Sequence, residues 1–203
     1  MNSGEPAGVS QALQALDLSA FDSLVLRTPR LLLRPLGESD AEDLFDIFAD
    51  EKVMRYWSSA PWSAIDMAQD SIARDLAALP KGEHLRLGIS AMAGGRLIGT
   101  CTLFGFVQHS RRAELGYALA STAWGQGFMN EALTGFLQHG FTRLRLNRVE
   151  ADIDPRNGAS ARTLERLGFT REGFMRERWI VGAEVSDTAF YGLLAREWRG
   201  AGV

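Results

Sequence analysis

The spacing of apolar positions changes along the chain, and each change marks an element. In "SDAEDLFDIFAD" (39–50), Leu44, Ile47 and Phe48 recur at helical spacing. Ser39 or Asp40 supplies a cap, and the acids that follow favour the positive end of a helix dipole. An aromatic loop at 54–62 leads to a second helix, about 63–79, which Pro80 stops. The spacing then drops to two. "HLRLGISAM" (84–92) and "RLIGTCTLFGFV" (96–107) alternate around "AGG", a hairpin signal, and "RAELGYALA" (112–120) reads as a third strand. "AWGQGFMNEALTGFLQHGF" (123–141) places Leu133, Phe136, Leu137 and Phe141 on one helical face. A strand at 147–153 follows, then a helix at 157–168 closed by Gly168 as a left-handed cap, then strands at about 170–181 and 185–194. Ahead of all these, "LVLRTPRLLLRPL" (24–36) is rich in strand formers but broken by Pro29, which predicts an edge strand or a bulge.

Strands 112–120 and 147–153 are separated by one helix, so they are expected to lie parallel through a right-handed crossover. The remaining strands are joined by hairpins. The predicted class is α+β, a mixed sheet of about six or seven strands flanked by helices.

Composition narrows the setting. The 203 residues suffice for one well-buried domain, expected over 23–200. Residues 1–22 read as a tail, weakly ordered or docked on the body by one helical turn carrying Leu13, Leu16 and Leu18. The net charge of −3 supplies no bulk positive field, so neither nucleic acid nor a membrane is expected as a partner. The one cysteine, Cys101, excludes an internal disulfide and fits a reducing compartment. No apolar run approaches spanning length and no signal peptide is recognisable, which leaves the cytoplasm as the expected location. His84, His109 and His139 are scattered without ligand spacing, so no metal is expected.

Gly125 and Gly127 sit where the longest amphipathic helix begins. A helix start presents unpaired N–H groups and a positive dipole end, and glycine lets an anion approach the backbone. Two familiar nucleotide motifs do not fit. Phe128 and Met129 stand where a phosphate loop needs Lys-Ser/Thr, and Asn130 stands where the dinucleotide fingerprint needs glycine. On these residues alone a plain turn explains the glycines slightly better than an anion site does.

Three blocks in order change that balance: "TPRLLLRPLGESDAEDLF", "AELGYALASTAWGQGFMNEAL" and "NGASARTLERLGFTREG". Together they resemble the GNAT acyltransferases that use acetyl-coenzyme A, over about residues 24–198, and more narrowly the RimJ/RimL-type branch of ribosomal-protein N-terminal acetyltransferases. By this resemblance the backbone from Gly125 through Gln126, Gly127, Phe128 and Met129 to Asn130 holds the pyrophosphate of the coenzyme. Tyr117, Ala118 and Leu119 pair with its pantetheine arm as an added strand would. Trp124 occupies the family's Gln/Arg position, and Met129 replaces a small residue, which narrows the space near the phosphates.

Acetyl transfer to an amine needs a neutral nucleophile, a donor for the oxyanion and a hydrogen bond to the departing sulfur. Relatives in this branch carry an acid matching Glu114, assigned the base role in some; Asp152 and Glu150, on one face of the next strand, are alternatives. Many relatives place a tyrosine seven residues after the position of Asn157 as the acid, but this chain has Leu164 there. Ser160 matches a serine proposed to bond the coenzyme sulfur, and Asn157 is expected both to cap its helix and to contact pantetheine. Tyr56, Trp57, Trp62 and Phe104, with Phe106, are candidates for the acceptor wall.

The expected activity is acetyl transfer from acetyl-CoA by direct attack of an amine, with a protein N-terminal α-amine, a ribosomal protein's first, as acceptor. An α-amine titrates near 8 and a lysine near 10.4, so the former needs less help at neutral pH. The alternatives are a small-molecule amine such as a polyamine, an amino acid analogue or an antibiotic, or a non-catalytic coenzyme-A-binding sensor. The C-terminal hairpin offers an edge on which a homodimer could form.

Overall fold

The computed structural model describes Leu16 and residues 21–200. Eight strands form one sheet: β1 (Leu26–Arg27), β2 (Leu31–Arg34), β3 (Leu85–Ala91), β4 (Leu97–Val107), β5 (Arg112–Leu119), β6 (Arg148–Ile153), β7 (Thr170–Val181) and β8 (Glu184–Leu194). Their spatial order is β1-β2-β3-β4-β5-β6-β8-β7, so β1 and β7 are the edges. The helices are α1 (Ala41–Ala49), α2 (Glu51–Met54), α3 (Asp66–Ala78), α4 (Phe128–Thr142) and α5 (Gly158–Arg166). The expected α+β class holds, with a sheet one strand larger than anticipated. The extra strand comes from 24–36. Pro29 lies in a tight turn, held by the Thr28 amide on the Leu31 carbonyl (3.0 Å) and the Leu31 amide on Thr28 Oγ1 (3.0 Å), so the segment folds into two antiparallel strands.

The sheet carries a core on each face. On one face α4 and α5 bury Leu133, Phe136, Leu137 and Leu164 against Leu33, Leu87, Leu103, Leu115, Val149 and Leu193. On the other, the predicted α1 stripe of Leu44, Ile47 and Phe48 packs with Ile72 of α3, Leu97 and Ala118. Each such side chain contributes about 1.5–3 kcal/mol when fully buried. Leu16 is buried in the first of these cores, and its amide donates to Gln108 Oε1 (3.3 Å); Leu13 and Leu18 lie outside the described residues. Gly168 has φ +93°, as a left-handed cap requires.

Asp40 departs from its expected role. Its side chain does not cap α1 but accepts a two-pronged ion pair from Arg34 (2.7 and 2.8 Å) and the Gly37 amide (2.8 Å). Two charge-assisted bonds in a buried setting outcompete a single helix amide. This pair holds the Asp40 carboxyl below the usual range against the burial that raises it.

β5 and β6 do run parallel, and their pairing is short. Arg112, Ala113 and Glu114 pair with Arg148, Val149 and Glu150; beyond that point the two strands separate. The rest of β5, Leu115 to Leu119, faces a gap where a continuous sheet would have a neighbour, and the gap opens beside the N-terminus of α5.

Candidate active site

A cleft of about 210 Å³ lies at this gap. It is lined on the strand side by Phe104, Leu115, Gly116, Tyr117 and Asp152, at the helix start by Asn157 and Ser160, and at its mouth by Tyr56, Trp57 and Trp179. The sheet's alternation sorts these side chains. Ala113, Leu115 and Tyr117 point to the α4/α5 face; Glu114, Phe104 and Asp152 point to the α1/α3 face. The gap therefore joins an acid-bearing face to a hydroxyl-bearing one.

On the hydroxyl side, Asn157 caps α5: its Oδ1 accepts from the Ser160 amide at 3.0 Å. Ser160 Oγ stands 2.6 Å from the Tyr117 hydroxyl. Burial pushes the Tyr117 phenol up to about 12, with the Ser160 bond opposing that rise. Leu164, one turn on, is fully buried and carries no chemistry.

On the acid side, burial raises the Glu114 carboxyl above its ordinary value and the nearby charge of Asp152 raises it further. Glu114 does not line the cleft; Gly116, two residues along the same face, does. Asp152 lines it and forms no ion pair among the described residues. Glu150 is committed elsewhere, held between Arg112 and Arg148, and Arg148 reaches on to Glu172. It is tied up in that ladder and does not line the cleft.

The α4 approach explains its two glycines. Gly125 and Gly127 have φ of +75° and +76°, a region costly for other residues. No atom lies within 4 Å of a Cβ built on Gly125, so the conformation, not crowding, selects glycine there. The resulting loop leaves the amides from Gly125 to Asn130 without an acceptor among the described residues, converging at the positive end of a 15-residue helix. Met129 does not intrude: it is 8% exposed and packs into the core, so the expected narrowing is absent. Trp124 turns its indole N–H onto the Leu119 carbonyl (2.8 Å), which therefore already has a donor. Ala118 turns its backbone toward β4, opposite Thr100 on the ladder in which the Ala120 amide donates to the Ile98 carbonyl (2.8 Å), so of the three expected residues it is Tyr117 whose backbone faces the gap.

Three residues that sequence reasoning did not single out brace this loop. Arg30 donates to the Gln126 carbonyl (3.0 Å) and, through Nε, to Glu131 (2.6 Å), while its guanidinium lies 4.5 Å from the centre of the Phe128 ring. Thr28 Oγ1 donates to the same Glu131 carboxylate (2.6 Å). The β1–β2 turn thus holds the α4 entry from outside. Thr28 and Arg30 fall within the "TPR" that opens the first resemblance block and Glu131 within the second, which was the available signal.

The mouth also differs from expectation in two members, Trp62 and Phe106. Tyr56, Trp57 and Phe104 reach the cleft; Trp62 does not. Trp62 stacks on Phe48 (4.7 Å between ring centres) and covers the second core, as a large aromatic at a helix edge does when a flat partner is within reach. Phe106 packs against Phe21. Trp179, Ser186 and Thr188, from the C-terminal hairpin, line the cleft instead. Arg55 and Arg156 both engage Glu184 (3.1 and 2.8 Å), tying the aromatic loop to that hairpin.

Residues 30–170 match the family model described as an acetyltransferase (GNAT) domain. Uncharacterized N-acetyltransferase p20 of Bacillus licheniformis is 34% identical over 86% of this chain and 98% of its own. The [ribosomal protein uS5]-alanine N-acetyltransferase of Escherichia coli is 26% identical over 85% of this chain and 92% of its own. The crystal structure of Mycobacterium smegmatis RimJ in complex with CoA-disulfide superposes with a TM-score of 0.76 at 26% identity, covering 86% of this chain and 87% of that one. With its splayed parallel strands and glycine-entered helix, the chain belongs to the GNAT family and is an acetyl-CoA-dependent N-acetyltransferase.

Proposed function

We propose that the chain acetylates the α-amine of a protein N-terminus, a ribosomal protein being the first candidate. The single observation that carries the mechanism is the cleft through the β5–β6 gap, with carboxylates on one face and the Ser160 hydroxyl on the other. The coenzyme lies along the α4/α5 side. Its pyrophosphate rests on the amides from Gly125 to Asn130, where aligned N–H groups and the helix dipole favour an anion. Its pantetheine arm pairs with the free edge of β5 at Tyr117. The acceptor enters from the α1/α3 side past Tyr56, Trp57, Phe104 and Trp179.

In this reading Asp152 holds the incoming ammonium and Glu114 takes its proton through a water, since Glu114 stands behind the cleft wall. The neutral amine attacks the thioester carbonyl, and a β5 backbone N–H bonds the oxyanion. Collapse re-forms the carbonyl and breaks the C–S bond: the electron pair leaves on sulfur, hydrogen-bonded by Ser160, and the second amine proton leaves to solvent through the water on the carboxylate side. Support for a peptide acceptor comes from the uS5-alanine acetyltransferase among the relatives. A small-molecule amine is the second reading, favoured by the modest cleft and by the Arg55–Glu184–Arg156 brace across its mouth.

A thiol-release assay against peptides and free amines separates them. Turnover with N-terminal peptides supports the first reading; turnover with amines and none with any peptide overturns it.

A further inference from the structure

We infer that Tyr117 is a positioning residue for the leaving-group step: its hydroxyl fixes Ser160 so that the serine O–H is directed at the coenzyme sulfur. This rests on the placement of the coenzyme proposed above.

A serine hydroxyl has one proton and a phenol has one, and at 2.6 Å one of them donates to the other. The phenol has only a long alternative, the Ser160 carbonyl at 3.4 Å, which as a helix carbonyl already serves the backbone ladder. Ser160 Oγ has no other partner among the described residues. When Tyr117 donates to Oγ, the short bond is satisfied and the serine proton is left to point into the cleft. The reverse arrangement leaves the phenol proton on a bond at the limit of useful length.

Burial matters in a second way. Tyr117 is held protonated well beyond neutral pH, so it is a donor throughout the working range. It is not a proton source. An alkyl thiol titrates near 8.5 and a phenol near 10, so handing a full proton to a thiolate from either hydroxyl is uphill. The step balances without one: the C–S bonding pair moves to sulfur, the thiolate accepts a hydrogen bond from Ser160, the amine proton has gone to the carboxylate side, and the released thiolate takes its proton from water. What Tyr117 supplies is orientation, because a lone serine hydroxyl at a helix start rotates and bonds neighbouring carbonyls instead. The phenol comes from β5, across the cleft from α5, and thus serves the neighbourhood where Leu164 leaves no tyrosine on the helix itself.

The test is a cycle of Tyr117→Phe, Ser160→Ala and the double variant, with kcat and the KM for acetyl-CoA for each. The inference predicts a loss of about tenfold in kcat for Tyr117→Phe, the scale of one hydrogen bond to a developing charge, with KM changed by less than about twofold. It also predicts that the double variant is no slower than Ser160→Ala. Tyr117→Phe with unchanged kcat, or losses that multiply in the double variant, overturns it. Ser160→Ala with unchanged kcat instead overturns the underlying placement of the coenzyme. A binding measurement decides independently of turnover, including for a poorly folding variant, by adding Ser160→Thr. Above pH 9 the wild type should bind CoA more tightly than desulfo-CoA, with Tyr117→Phe losing that preference and Ser160→Thr keeping it. Equal preference in wild type and Tyr117→Phe contradicts the inference.

Discussion

Glu114 and Tyr117 lie three residues apart on β5 and project from opposite faces of the sheet, opposite Phe104 and Cys101 respectively. One strand therefore carries an acid toward the acceptor face and a phenol toward Ser160, and the gap beside it is the passage between them. A strand needs an odd offset to do this, and the parallel partner must end its pairing between the two residues, as β6 does after Glu150.

The acid side predicts a pH signature. A base with a raised carboxyl gives a rate that climbs with pH through a value above the ordinary glutamate range. Glu114→Gln should lower kcat by about 10²-fold or more and flatten that limb. The same shift has a stability consequence with a defined sign. An acid raised by folding favours the folded state only below its unfolded value, and that advantage is lost as pH rises through the folded one. Glu114→Gln should therefore raise Tm relative to wild type near pH 7, and the gain should vanish near pH 4. Thermal melts at the two pH values check this; a lower Tm at pH 7 contradicts it.

The loop brace predicts a binding defect without a chemical one. Arg30→Ala removes the bond to the Gln126 carbonyl and the ion pair with Glu131 together. The KM for acetyl-CoA should rise about tenfold, the scale of one or two lost charge-assisted bonds, while kcat stays within about twofold. Steady-state kinetics at varied acetyl-CoA decides it.

The mouth predicts the converse. Trp179→Ala should raise the KM for the acceptor several-fold and leave that for acetyl-CoA unchanged, because Trp179 lines the cleft from the hairpin remote from α4. Trp62→Ala should affect neither constant, but should cost about 3 kcal/mol of stability by unstacking Phe48. Urea unfolding and bisubstrate kinetics on the two variants separate a wall from a core cover.

Asn157→Ala should cost about 1 kcal/mol through the lost helix cap. It should also lower kcat, since the Ser160 amide bonded to Asn157 Oδ1 sets the start of α5.

Much of this was legible along the chain because it is local. Periodicity marked α1, α4 and the hairpins, and the lone helix between residues 120 and 147 dictated the parallel pair. Gly125 and Gly127 marked a special start to α4; that both are left-handed and leave the amides beyond them without an acceptor among the described residues needed the fold. What was not legible depends on distant partners. Asp40 looks like a cap until Arg34 arrives from β2; Met129 looks obstructive until its helix turns it inward. Trp62 resembles a pocket wall until Phe48 is found beneath it, whereas Trp179, from more than 100 residues further along, fills that role. Tyr117 was read for its backbone, and only folding brings its hydroxyl to Ser160.

The proposed anion seat at the start of α4 is the centre of the mechanism, and calorimetric titration with CoA tests it directly. The prediction is one site with a dissociation constant on the order of micromolar, weakened at least tenfold by Gly127→Ala, whose added Cβ is strained at φ +76°. Absence of any binding heat at millimolar CoA, or equal affinity in the variant, contradicts it.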